Sequence, residues 1–210
     1  MEKKTMEKKT LVVVDMQNDF IDGVFANPEA QKIVPKVAEY IRNWNGKVVY
    51  TMDTHHVSVG GLIEAKVGYK DSIEGQRLPA HCMMYTKGWC LNEEIIAAKD
   101  SRDDSGRFPY YTPVITKESF GSLSLEHHVK FAVTKTSPDN CEYYDYEDPE
   151  EIVLVGLCTD ICVISNALIL RAEYPKVPIK VIASMCAGTT KENHEAALKV
   201  MRSCCIDVEE

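Results

Sequence analysis

The chain has 210 residues, a formal net charge of −8 and 45% hydrophobic side chains, enough for one core, since single domains reach roughly 250 residues before cores divide. The acidic balance argues against nucleic acid or an anionic membrane as partner, because either calls for clustered Lys and Arg. No apolar run approaches the roughly 20 residues that span a bilayer, and the polar start lacks a signal-peptide core, so a soluble cytoplasmic protein is expected.

Residues 1–5 and 6–10 are both Met-Glu-Lys-Lys-Thr. Residues 1–10 are read as a duplicated polar segment, an artefact or in part disordered, and one domain is expected over residues 11–210. Leu11-Val12-Val13-Val14 is uniformly apolar and β-branched, the pattern of a strand buried on both faces. Helical spacing through Ile33, Val37, Ile41 and Trp44 predicts a helix over about 29–44, starting late or kinked at Pro35. Asn45-Gly46 ends it, and further strands are predicted at 47–51, 112–115, 151–155 and 177–183, with helices at 161–173 and 191–202. Residues 56–90 read as one long connection, of a length that is usually functional or disordered. Residues 99–111 and 135–149 are charged and turn-rich and read as surface excursions. Strand–helix alternation of this kind predicts an α/β fold: a doubly wound, mostly parallel sheet with helices on both faces, in three layers.

Functional groups in such sheets gather at the carboxyl ends of the strands. Asp15 closes the first strand, Asp53 and His55 follow the second, Lys117 the third and Cys162 the fourth. The run Gly156-Leu157-Cys158-Thr159-Asp160-Ile161-Cys162-Val163 joins an apolar strand to a helix. A cysteine in the first helical turn lies near unpaired N–H groups and the positive dipole end, which favour a nucleophilic thiolate. Thr159 or Asp160 can cap that helix. A carboxylate at Asp15 can take the thiol proton and return it to a leaving amine, and an ammonium at Lys117 favours thiolate and oxyanion alike. Together they describe a Cys–Asp–Lys nucleophile assembly. The other cysteines, of eight in all, have irregular spacing and read as ordinary reduced thiols.

A second cluster has metal chemistry. Asp53-Thr54-His55 places two side chains on one side of an extended segment. His81, in Leu78-Pro79-Ala80-His81-Cys82, is the third candidate. Two imidazole nitrogens and a carboxylate suit one divalent ion: Zn²⁺ first, Fe²⁺ or Mn²⁺ as alternatives. His56, His127, His128 and His194 read as surface or structural.

Five blocks carry a resemblance: Val13-Val14-Asp15-Met16-Gln17-Asn18-Asp19-Phe20, Thr51-Met52-Asp53-Thr54-His55, Leu78-Pro79-Ala80-His81-Cys82, Thr116-Lys117-Glu118-Ser119-Phe120 and the run 156–163. Their order resembles that of the isochorismatase-like cysteine hydrolases, and within them the nicotinamidases, from Leu11 to about Val208. The resemblance implies Asp15, Lys117 and Cys162 as catalytic triad, a cis peptide before Cys158, and an oxyanion hole from the backbone N–H groups of Cys158 and Cys162. It implies Asp53, His55 and His81 as ligands of a metal that holds the pyridine nitrogen of the substrate. Glu64, Asp71 and Glu74 compete for a further ligand position, with Glu64 taken as the possible addition. Phe20 is the clearest aromatic wall for the substrate, with Trp89 the alternative. The activity implied is hydrolysis of nicotinamide to nicotinate and ammonia through a cysteine thioester, in NAD salvage, by an enzyme that acts on a small molecule, with a homo-oligomer as one option for its assembly. The alternatives are another small amide or ureido substrate, or a silent binding member, against which the intact triad argues.

Overall fold

The computed structural model describes residues 6–56, 69–103 and 112–210. Strand β1 (Lys9–Val14) starts two residues ahead of the predicted one, taking in the end of the second repeat copy. A single helical turn, α1 (Asn18–Ile21), then leads to α2 (Pro28–Asn43). Asn27 fixes the start of α2: its side chain accepts from the Glu29 N–H at 2.9 Å, with Pro28 at the first helical position. The helix continues through Pro35.

Strand β2 (Lys47–Asp53) follows, and after the long connection come α3 (Glu93–Asp103) and β3 (Val114–Lys117). Helix α3 corrects the reading of residues 99–103 as a surface excursion. Its Arg102 is buried and donates to the carbonyls of Ile41, Trp44 and Gly46, satisfying the open end of α2. The remainder of that predicted excursion, 104–111, lies outside the described residues.

Next come α4 (Leu125–Val129), β4 (Phe131–Thr136) and β5 (Glu142–Glu147). The last two pair antiparallel as a separate ribbon. Residues 135–149 lie mostly at the surface, as expected, but much of the segment belongs to a hairpin and only its connection is a turn. Its charged and tyrosine side chains hide the strand pattern because both faces meet water. The chain ends with β6 (Glu151–Leu157), α5 (Ile164–Glu173), β7 (Ile179–Ala187), α6 (Lys191–Ser203) and β8 (Asp207–Glu209).

Six strands form one sheet in the order β3-β2-β1-β6-β7-β8, and every pairing in it is parallel. Leu11 and Val13 pack on one face with Ile33, Val37 and Ile41 of α2 and Ile95 of α3. Val12 and Val14 pack on the other with Leu125 of α4, Leu170 of α5, and Leu198 and Met201 of α6. Helices thus cover both faces, which is why β1 and β6 carry unbroken apolar runs. Among the described residues no helix is long and apolar enough to cross a membrane.

The register sets up the site. Val14 lies opposite Thr51 on one side and Gly156 on the other, and Asp53 lies opposite Lys117. The carboxyl ends of four neighbouring strands therefore finish at one level.

Candidate active site

Asp15 follows β1 with a backbone φ of 46° and is fully buried. Asp53 and Lys117 are the last residues of β2 and β3, and both are buried. The Lys117 Nζ lies 2.7 Å from Asp15 Oδ2, 3.4 Å from Asp53 Oδ1 and 3.5 Å from Cys162 Sγ. Thr51 Oγ1 donates to Asp15 Oδ1 at 2.7 Å. The three residues of the expected nucleophile assembly thus meet around one ammonium group.

Burial works against the charge on Lys117, but Asp15, Cys162 and Asp53 outweigh it and push its pKa well above the ordinary value. Burial raises Asp15, with Lys117 opposing. Burial also pushes the Cys162 thiol well up, again with Lys117 opposing, and the Asp15 carboxylate acts as its hydrogen-bond partner and adds to the rise. Burial thus works against the thiolate that the neighbouring ammonium favours.

Cys162 sits in a π-helical turn, Thr159–Val163, in which the Val163 N–H reaches the Cys158 carbonyl at 3.0 Å. Helix α5 begins only afterwards, three residues later than the predicted helix at 161. The Leu157–Cys158 peptide is cis. The turn is anchored from outside by Thr159 Oγ1, 2.8 Å from His194 Nδ1, and by Asp160, which accepts from the Thr189 N–H at 2.8 Å.

The predicted metal residues also come together, joined by Glu74. One ligand atom each from Asp53, His55, Glu74 and His81 lies within 4.8 Å of the others. His55 Nε2 is 3.1 Å from Asp53 Oδ2 and 3.5 Å from Glu74 Oε1; His81 Nε2 is 3.2 Å and 3.3 Å from the same atoms. Glu64 lies outside the described residues, and Asp71 is not in the group. A tight turn over 69–78 delivers Glu74: Leu78 N–H reaches its carbonyl at 2.8 Å, and Gly75 lets the Tyr69 carbonyl approach where a Cβ would stand 1.9 Å away.

The donor set fits a divalent cation. Two carboxylates and two imidazoles converge, with Lys117 beside one oxygen of Asp53 and the histidines facing the other oxygen and Glu74. Burial opposes protons on the histidines, yet Asp53 and Glu74 push both His55 and His81 up to about 9. His81 Nδ1 lies 2.9 Å from the Pro79 carbonyl, a bond that keeps the proton there and turns Nε2 toward the cluster. Lys117 and the two histidines overcome burial to hold Asp53 below the usual carboxylate range.

Both clusters face one cavity of about 400 Å³ lined by Asp53, Glu74, His81, Cys158 and Cys162. Its apolar wall is Phe20, as expected, with Phe25 and Phe120 as well. Phe25 stacks on Phe20 at 6.0 Å and meets the His81 ring at 4.8 Å. Both added phenylalanines stand in turns, where periodicity gives no signal. Trp89 does not line the cavity; its indole N–H donates to Thr54 Oγ1 at 2.9 Å.

The isochorismatase domain family model matches residues 9–101 and 111–210, and the chain belongs to that family. The nicotinamidase of Saccharomyces cerevisiae is 27% identical over 185 residues, covering 76% of this chain and 80% of that protein. Among solved structures, the nicotinamidase of Bacillus subtilis aligns with a TM-score of 0.67 at 21% identity, covering 97% of this chain and 99% of that one. The pyrazinamidase of Pyrococcus horikoshii, solved in complex with zinc, aligns with a TM-score of 0.63 at 23% identity, over 97% and 99% of the two chains.

Proposed function

We propose that this chain is an amidohydrolase that converts nicotinamide to nicotinate and ammonia. The observation that carries the reading is the Asp15–Lys117–Cys162 cluster opening onto the same cavity as Asp53, His55, Glu74 and His81. Its similarity to nicotinamidases of several organisms supports the substrate.

Asp15 takes the proton of the Cys162 thiol as sulfur attacks the carboxamide carbon. Lys117 stays protonated throughout and offsets the charge that passes from sulfur to oxygen. The backbone N–H groups of Cys158 and Cys162 receive the tetrahedral oxyanion, a contribution of roughly 2.7–4 kcal/mol per donor in a tested hole. Asp15 returns its proton to the leaving nitrogen, ammonia departs, and a thioester remains on Cys162. Asp15 then accepts a proton from water as the hydroxyl adds to the thioester. The second tetrahedral species expels the Cys162 sulfur, which regains the proton.

Asp53, His55, Glu74 and His81 would hold one divalent cation, Zn²⁺ first and Fe²⁺ or Mn²⁺ as alternatives, whose Lewis acidity serves to bind the pyridine nitrogen. Phe20, Phe25 and Phe120 supply apolar surface for the ring.

The test is ammonia release from a panel of nicotinamide, other small amides and ureido compounds, with protein loaded with each metal in turn. Nicotinamide is expected to give the highest kcat/KM. Turnover of a ureido compound with none of nicotinamide would reassign the substrate, and no ammonia from any of them would overturn the reaction.

A further inference from the structure

We infer that Gln17 is the positioning residue that sets Asp53 between the nucleophile cluster and the metal-ligand group. The inference rests on the metal-holding reading of Asp53, His55, Glu74 and His81. Asp53 is the hinge between the two clusters: its Oδ1 faces Lys117 Nζ at 3.4 Å, while its Oδ2 faces His55 Nε2 at 3.1 Å and His81 Nε2 at 3.2 Å. A carboxylate with one oxygen committed to each side tolerates little displacement. Whatever fixes its backbone fixes both sites.

Gln17 is fully buried and makes both bonds of a peptide-like pair with Asp53. Its Oε1 accepts from the Asp53 N–H at 2.7 Å, and its Nε2 donates to the Asp53 carbonyl at 2.8 Å. The second amide hydrogen goes to the Trp89 carbonyl at 2.7 Å. The backbone N–H of Gln17 donates to the Asp15 carbonyl at 2.7 Å. One residue therefore spaces Asp15 from Asp53, and the Lys117 ammonium lies against both carboxylates. Glutamine suits this place because its planar amide offers an acceptor and two donors together. Glutamate would keep the acceptor, lose both donors and set charge against two carbonyl oxygens.

The test compares wild type, Gln17→Glu, Gln17→Met and Trp89→Phe. Zn²⁺ affinity is read by competition with a chromophoric chelator, alongside kcat and KM for ammonia release and the melting temperature of the metal-free protein. Both Gln17 variants are expected to bind Zn²⁺ roughly 10–100-fold more weakly, the cost typical of losing a group that orients a metal ligand. Their kcat should fall as well, because the Lys117 ammonium is shared between the displaced Asp53 carboxylate and Asp15. Trp89→Phe removes a bond to Thr54 alone and is expected to hold Zn²⁺ within about twofold of wild type. A lowered melting temperature with unchanged Zn²⁺ affinity in both Gln17 variants would reduce Gln17 to a packing residue and overturn the inference, as would an equal loss in Trp89→Phe. A wild type that binds no Zn²⁺ would instead overturn the metal reading itself.

Should the Gln17 variants fail to fold, NMR of the wild type decides. The Gln17 side-chain amide protons and the Asp53 N–H are expected to exchange slowly with solvent and to shift on Zn²⁺ addition. Exchange at the rate of an exposed amide would overturn the inference.

Discussion

Cys158 and Cys162 line one cavity four positions apart, and their surroundings divide the work between them. Lys117 reaches the Cys162 sulfur and the Asp15 carboxylate together. Burial is the main force raising the Cys158 thiol, to about 12, and among the described residues the Lys117 hydrogen bond to sulfur goes to Cys162. Cys162→Ala is expected to lose at least about 10³-fold in kcat/KM, because among the described residues no other nucleophile stands beside Asp15. Cys158→Ala removes the thiol and keeps the backbone N–H, so its activity should remain within about tenfold of wild type. A reversal of those two results in an ammonia-release assay would exchange the roles. The proton acceptor gives a second prediction. Asp15 acts as base only when ionised, so activity falls as pH drops through its pKa, and burial raises that pKa above the ordinary carboxylate value against the pull of Lys117. The Thr51 hydroxyl opposes the rise by donating to Asp15 Oδ1. Thr51→Val, which keeps the shape and removes the donor, should move the acid limb of kcat/KM to higher pH. An unmoved limb would mean that a group other than Asp15 titrates there.

At the scale of elements, the close fit of β6 against β1 depends on Gly156. Its φ is +121°, and a Cβ there would stand 2.1 Å from the Val14 carbonyl oxygen. Gly156→Ala combines a conformation open essentially to glycine with a wedge between two central strands, a cost of about 3 kcal/mol or more. For a chain of this length that lowers the melting temperature by roughly 6–12 °C, and a change below about 1 °C would show that the strands part freely. The same strands explain what could be read from sequence. β1 and β6 are apolar throughout because helices cover both faces, so their ends, and with them Asp15 and Cys162, stood out. Helix α3 did not, because its Glu, Lys and Asp residues hide the inward positions Ile95, Ala98 and Arg102. The ribbon of β4 and β5 escaped for a related reason: with both faces wet, its sequence carries no alternation. Glu74 could not be told from Glu64 or Asp71 by type or spacing, since the choice is made by how the turn over 69–78 folds back. Phe25 and Phe120 reach the cavity from turns, which follow no period. The complete burial of Cys162 could not be read from sequence, because local helix geometry is visible there while burial is a property of the assembled core.

For the molecule as a whole, the proposed metal-ligand group would be a crosslink between the central sheet and the segment after it. Asp53 and His55 come from the end of β2, whereas Glu74 and His81 come from a connection held to it by few backbone bonds, including His55 N–H to the Cys82 carbonyl at 3.0 Å and Met84 N–H to the His55 carbonyl at 2.8 Å. A buried carboxylate, Asp53, and a half-buried one, Glu74, each facing both histidines, favour a cation in a chain whose net charge is already −8. An ion bound by these four side chains needs the folded arrangement of both segments, so it stabilises the native state and not the unfolded one. At free Zn²⁺ 100-fold above its dissociation constant the gain is about 2.7 kcal/mol, equivalent to a rise of roughly 5–11 °C in melting temperature for a chain of this size. Chelation should remove that rise and abolish most nicotinamide binding, while the metal-free protein stays folded on its two-faced core. His81→Ala is the control. It leaves the sheet intact and deletes one of the four proposed ligands, so its melting curve should no longer respond to Zn²⁺ at the same concentration. Equal responses in His81→Ala and wild type would locate the stabilising ion elsewhere on the molecule, and the cavity would then hold its ring through the phenylalanine wall alone.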